Sequence, residues 1–162
     1  MLLAEPNRSR DISSAPTKPV EPVMRTVRSA GVFAPRRGDP LRIFRAGPGD
    51  ALVGQPVADV ASGPPVTGSA QLARTGRYRS VDTAAAKLPI YLTGVVRGVP
   101  AGLTTVAVSI NGVVAGVSPL SGGAGERDFA VLLPPSLLRD GSNSLRVFAV
   151  DSADRLSPLP LR

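Results

Sequence analysis

The stretch Thr104-Thr105-Val106-Ala107-Val108-Ser109-Ile110-Asn111-Gly112-Val113-Val114-Ala115-Gly116-Val117 decides the fold class. From Thr104 to Ile110 the residues alternate. Val106, Val108 and Ile110 fall on one face and Thr105, Ala107 and Ser109 on the other, which is the period of a strand. Asn111-Gly112 is the preferred pair for a two-residue type I′ turn, because both central residues need positive φ. Val113 to Val117 is then the return strand, and the whole reads as an antiparallel hairpin.

Working outward, Leu88-Pro89-Ile90-Tyr91-Leu92-Thr93-Gly94-Val95-Val96 is rich in β-branched and aromatic residues and reads as the strand before the hairpin. After it, the glycine-rich loop Ser121-Gly122-Gly123-Ala124-Gly125 precedes a strand, Arg127 to Leu133, with Phe129, Val131 and Leu133 on one face. A phosphate-cradling loop needs a helix there, so this one is a turn. Pro134-Pro135 ends that strand, since proline cannot serve a central ladder. Ser136 to Arg139 suits one helical turn, Asp140-Gly141-Ser142-Asn143 turns the chain, and Leu145 to Val150 is the last clear strand. Towards the N-terminus, Leu41 to Arg45 reads as a first strand ending at the turn cluster Ala46-Gly47-Pro48-Gly49-Asp50. Ala70 to Arg74 and Tyr78 to Val81 are weaker strand candidates.

Short strands separated by Gly/Pro turns predict an all-β fold, an antiparallel β-sandwich (Ig-like or related) of about six to eight strands over residues 41–155. The expected core is Ile43, Phe44, Leu92, Val95, Val106, Val108, Ile110, Val114, Phe129, Val131, Leu133, Val147 and Val150, with Tyr91 packed among them. Residues 1–40, with Pro6, Pro16, Pro19, Pro22, Pro35 and Pro40, read as a flexible Pro/Arg-rich arm. Residues 156–162 read as a C-terminal tail.

The composition removes whole classes of chemistry. The 162 residues include no Cys and no His. A disulfide, a thiolate nucleophile, a Ser-His-Asp triad and an imidazole base are therefore excluded. No cofactor or metal site is implied, and the reading is of a non-enzyme. The net charge is +7, and only Lys18 and Lys87 among the 19 basic residues are not Arg. The excess is uneven: residues 1–79 carry 12 basic and 6 acidic side chains, residues 80–162 carry 7 and 6. Met1-Leu2-Leu3-Ala4 is too short an apolar start for a secretory signal, and no stretch reads as a membrane helix. Taken as a complete product the chain is expected in the cytoplasm; as the tail of a membrane protein it is expected outside.

Three groups are candidates for function. Arg74, Arg77 and Arg79 with Tyr78 combine charge with a stacking plane and form the best polyanion-binding candidate, for nucleic acid or an acidic glycan. Glu126 and Asp128, two apart on a strand, share a face as paired carboxylates do, although charges at a strand start ordinarily mark solvent. Asp140, Asp151 and Asp154 offer loop oxygens, at a spacing better suited to turns than to calcium.

The segments Phe44-Arg45-Ala46-Gly47-Pro48 and Leu52-Val53-Gly54-Gln55-Pro56-Val57, the run Val106 to Ala115, and Phe129-Ala130-Val131-Leu132-Leu133-Pro134-Pro135-Ser136 occur in that order. Arg139-Asp140-Gly141-Ser142-Asn143 and Val147-Phe148-Ala149-Val150 follow. Together they resemble the C-terminal β-rich domain of actinobacterial membrane sulfatase-like proteins, which belong to the alkaline-phosphatase superfamily and are similar to lipoteichoic-acid synthases. The resemblance spans about residues 41–151 and implies a β-rich ectodomain attached to membrane helices and a metal-dependent catalytic domain. The nucleophile and metal ligands of that family have no counterpart here, and Gly49 stands where a His often follows the Gly-Pro step. The resemblance thus implies a non-catalytic accessory module that packs on, or orients substrate for, a sulfatase-like hydrolase domain.

Overall fold

A computed structural model describes residues 41–45, 47–123 and 125–162. The expected arm, residues 1–40, lies outside them. Eight strands form two antiparallel sheets: β1 (Ser69–Leu72), β2 (Tyr91–Arg97), β3 (Thr105–Ile110), β4 (Val113–Pro119), β5 (Ser121–Gly122), β6 (Glu126–Leu132), β7 (Leu145–Val150) and β8 (Leu156–Leu159). One sheet runs β1-β2-β6-β5 and the other β4-β3-β7-β8. This is the immunoglobulin constant-type order, with an extra strand, β4, hairpinned onto the second sheet. The sandwich expected from the alternation is the fold.

The hairpin forms as its sequence requires. Asn111 and Gly112 have φ of 51° and 83°, both left-handed, and Ile110 pairs with Val113. The ladder slips at Val108/Ser109, where Ser109 pairs with Val114 but Val108 with Gly116. This bulge leaves Ala115 unpaired and turns both Ala115 and Gly116 towards the other sheet. At Gly116 a Cβ would collide with Val131 Cγ1, so the two sheets meet there at backbone distance. Gly94 makes room within its own sheet: a Cβ there would sit 2.5 Å from Cζ of Phe129, its cross-strand partner, so the glycine lets the Phe129 ring lie across β2.

Between the sheets lie Leu92, Val96, Val106, Val108, Ile110, Phe129, Val131, Leu133 and Val147, with Leu72, Tyr78 and Leu159. A second, smaller core lies outside the β4-β3-β7-β8 sheet, where Ala107, Val114, Phe148, Val150 and Leu156 pack under Leu52, Val57 and Val60. Residues 41–45 and 47–66 form this cover, which includes 3₁₀ turns at Arg42–Phe44, Asp50–Leu52 and Val57–Asp59. Its backbone ties to both sheet edges. Val57 N–H donates to Gly112 O and Val114 N–H to Gln55 O along β4, while Gly63 N–H donates to Leu156 O along β8. Hence β3 is buried at every position, and its outward residues are small.

Several expectations are corrected. Leu41 to Arg45 is a 3₁₀ turn, not a strand, and Ile43 is 75% exposed with Phe44 only partly buried. No sheet edge is offered to this segment; instead Arg45 Nε and Nη2 grip the Val53 carbonyl at 3.1 and 2.9 Å. Val114 and Val150 are buried, but in the outer core. Val95 and Tyr91 lie on the outward face of β2, Val95 partly covered and Tyr91 exposed. Tyr78 closes a 3₁₀ turn, Thr75–Tyr78, instead of opening a strand. Residues 156–162 are not a tail: β8 pairs with β7, and Arg162 N–H donates to Ala70 O. Pro158 is tolerated because β8 is an edge strand.

Candidate functional site

Among the described residues, nothing comparable to the 41–66 segment covers the outward face of the β1-β2-β6-β5 sheet. Strand parity places Tyr91, Thr93 and Val95 of β2 there, opposite Leu132, Ala130 and Asp128 of β6, with Gln71 of β1 beside Val95. Tyr91 and Leu132, directly paired, are 62% and 55% exposed. At the far end Arg97 Nε donates to Glu126 Oε2 at 2.7 Å, and its Nη1 donates to Gln71 Oε1 at 2.8 Å. Glu126 and Asp128 do share this face as expected, but Glu126 is committed to Arg97. The Asp128 carboxylate has no partner among the described residues. A groove of about 820 Å³ runs along the face past Tyr91, Thr93 and Asp128 to Ser121.

The basic cluster is built by the turn after β1. Arg74 takes a left-handed conformation, φ 56°, and ends the strand; Arg77 N–H then donates to Arg74 O and Arg79 N–H to Gly76 O. Four consecutive residues in a 3₁₀ turn cannot all face one way, and the predicted site divides accordingly. Arg74 and Arg77 line one depression of about 540 Å³ together with Leu88, Ile90 and Tyr91. Arg79 lines a different one beside Arg162.

Tyr78 is not a stacking plane. It is 2% exposed and packed in the inner core, while its backbone carbonyl accepts from Asn143 N–H at 2.7 Å. Its hydroxyl is buried with no hydrogen-bond partner among the described residues. Burial holds the phenol above its usual pKa, and the Arg77 guanidinium partly offsets this. The accessible ring next to Arg74 and Arg77 is Tyr91. The two tyrosines have thus exchanged the positions that the sequence suggests. What fixes the facing is the pairing of Gly94 with Phe129, which puts 92, 94 and 96 on the inner face and 91, 93 and 95 outside; no local pattern in the sequence gives that register.

The remaining candidates are structural. Asp140 Oδ1 accepts from Thr83 N–H and Thr83 Oγ1, each at 2.7 Å, which lowers its pKa. Asp151 accepts from the N–H groups of Ala153 and Arg155 and from Arg155 Nε, and is lowered for the same reason. Both carboxylates fix turns, and no group of three His, Cys, Asp or Glu gathers among the described residues. Arg127 donates to the carbonyls of Pro100 at 2.6 Å and of Leu103, and pins the β2–β3 connection.

No helix among the described residues is long and apolar enough to cross a membrane. No protein-family model matches the chain, and no curated protein or solved structure matches it.

Proposed function

We propose that this chain is a non-catalytic accessory module, resembling the C-terminal ectodomain of a membrane sulfatase-like hydrolase, which packs on that enzyme or orients substrate for it. One observation carries the reading: among the described residues, one sheet is covered outside by 25 or so residues of its own chain, and the other presents Tyr91, Leu132 and Ala130 to solvent with Val95 partly covered beside them. An exposed apolar strip on a small domain marks an interaction surface. The absence of His and Cys from the sequence supports a binding role over a catalytic one.

The strip is small. Seven-residue strands and three interstrand spacings span roughly 23 by 14 Å. That is well below the ~800 Å² per partner of a stable interface. Association in trans is therefore weak, and because the strip is apolar it is insensitive to salt. The test is calorimetric titration of the chain into the catalytic domain of a lipoteichoic-acid-synthase-like protein, with Leu132→Ser as control. Weak binding that survives added salt and is lost in the variant supports the reading. Hydrolysis of a sulfate or phosphate ester by the chain alone overturns it.

A second reading, binding of a polyanion, is favoured by Arg74 and Arg77, whose guanidinium groups have no ion-pair or hydrogen-bond partner among the described residues while sharing a depression with Tyr91. It requires affinity that falls steeply between about 50 and 200 mM salt.

A further inference from the structure

The two depressions on the open sheet meet at Tyr91 and Thr93, which line both. They differ in chemistry. One end offers the guanidinium groups of Arg74 and Arg77, the other Gln71 and the unpaired Asp128 carboxylate. Four arginines are occupied: Arg97 by Glu126, Arg155 by Asp151, Arg127 and Arg45 by backbone carbonyls; of those whose guanidinium groups are not, Arg74 and Arg77 are the two that line the depression shared with Tyr91. Arg74 and Arg77 are exposed and unoccupied among the described residues.

We infer that this face binds an acidic oligosaccharide, with one sugar ring lying on Tyr91, its acidic group on Arg74 and Arg77, and the hydroxyls of the following sugars on Thr93, Gln71 and Asp128. The inference rests on the polyanion reading above and names its ligand. A planar guanidinium matches the oxygens of a carboxylate, sulfate or phosphate. A phenol ring gives the apolar face of a sugar a flat surface while its hydroxyl stays wet. Asp128 decides between a glycan and a nucleic acid. An ionised carboxylate only accepts hydrogen bonds. Sugar hydroxyls donate them, whereas a phosphodiester backbone does not. A nucleic acid also asks for several successive stacking planes, and the face has one. Along the ladder, Asp128 lies four residues from the Tyr91–Leu132 pair, about 13 Å. The site therefore fits a short oligomer and not a single sugar.

The test uses the full 162-residue chain at about 50 mM salt. The probes are an oligogalacturonate hexamer, sulfated maltohexaose, neutral maltohexaose and a single-stranded thymidine hexamer, with binding followed by amide shifts and calorimetry. Expected are binding of at least one acidic hexasaccharide about tenfold or more tighter than neutral maltohexaose, and shifts confined to β2, β6 and the 74–77 turn. Tyr91→Ala weakens that binding about tenfold, equal to ~1.4 kcal/mol, and Tyr91→Phe restores it. The pair Arg74→Asn with Arg77→Gln weakens it further and flattens its salt dependence; Asn is chosen because it tolerates the left-handed backbone at 74. Which acidic probe binds better identifies the oxyanion. The inference is overturned if neither acidic hexasaccharide binds, if the neutral one binds equally, if Tyr91→Ala has no effect, or if the thymidine hexamer binds tighter than both. Salt-insensitive binding to the hydrolase domain without glycan binding would sink this inference and leave the accessory reading standing.

Discussion

Gly116 and Val131 offer a direct measurement of how the two sheets meet. A methyl group added at Gly116 of β4 collides with Val131 Cγ1 of β6, and Leu132 O lies 3.3 Å away on the same side, so it cannot turn aside. Gly116→Ala is an overpacking substitution and destabilises by about 1–3 kcal/mol. Val131 is 3% exposed. Truncating it to alanine removes two buried methyl groups, about 1.6 kcal/mol of transfer, and with the cavity about 2–3 kcal/mol in all. In the double variant the new methyl occupies space that Val131 has vacated. Strain is relieved and the cavity is partly filled, so the pair should cost about 2 kcal/mol, not the 4 or so of simple addition. Urea unfolding of the four proteins, followed by far-ultraviolet circular dichroism, gives the coupling from midpoints at constant m. Additivity within about 0.5 kcal/mol would mean that these faces do not touch, and the sandwich register would be wrong.

Tyr78→Phe removes a buried hydroxyl that satisfies no partner, and should leave stability unchanged or raise it by up to about 1 kcal/mol. Because the folded pKa of Tyr78 lies above its unfolded value, its contribution is complete below pH 10 and is lost as pH rises through the folded pKa; the variant should lose this alkaline fall in melting temperature. Asn143→Ala should destabilise by about 3 kcal/mol in urea. Asn143 Oδ1 accepts from Asn111 Nδ2 and Arg139 N–H, and its Nδ2 donates to the Arg139 and Gly141 carbonyls; both Arg139 groups lose their partner, while Asn111 Nδ2 keeps Leu137 O and Gly141 O keeps Val81 N–H. Leu52→Ala should cost about 2–3 kcal/mol and increase binding of a hydrophobic dye, since Leu52 closes the outer core; a change under about 0.5 kcal/mol would show that residues 41–66 are not docked.

The hairpin and the strands around it were legible because local and tertiary demands agree there. Asn111-Gly112 suits only one kind of turn, and the valine alternation suits only one kind of surface. The cover was not legible. Ile43 and Phe44 share a short alternating piece with Leu41, yet nothing local reveals that a sheet edge is missing, and 3₁₀ turns have no period to detect. Orientation of the strand at Tyr91 to Arg97 was ambiguous for a related reason: Tyr91, Thr93 and Val95 are as apolar as Leu92, Gly94 and Val96, so the alternation does not select a face. Only the pairing of Gly94 with Phe129 does, and that register is a tertiary fact. The basic cluster was found by composition, but its geometry was not. A turn rotates Arg79 away from Arg74 and Arg77, and the core takes Tyr78. β8 was hidden by Pro158, which an edge strand accepts.

Among the described residues one sheet face is open, with Tyr91 standing on it and Tyr78 sealed in the inner core, and these are the two tyrosines of the chain. Nitration of the native protein by tetranitromethane, mapped by peptide mass spectrometry, reads this directly. Modification should fall on Tyr91, with Tyr78 reacting only after denaturation. Reaction of Tyr78 in the native state as fast as Tyr91, or protection of both, would contradict it.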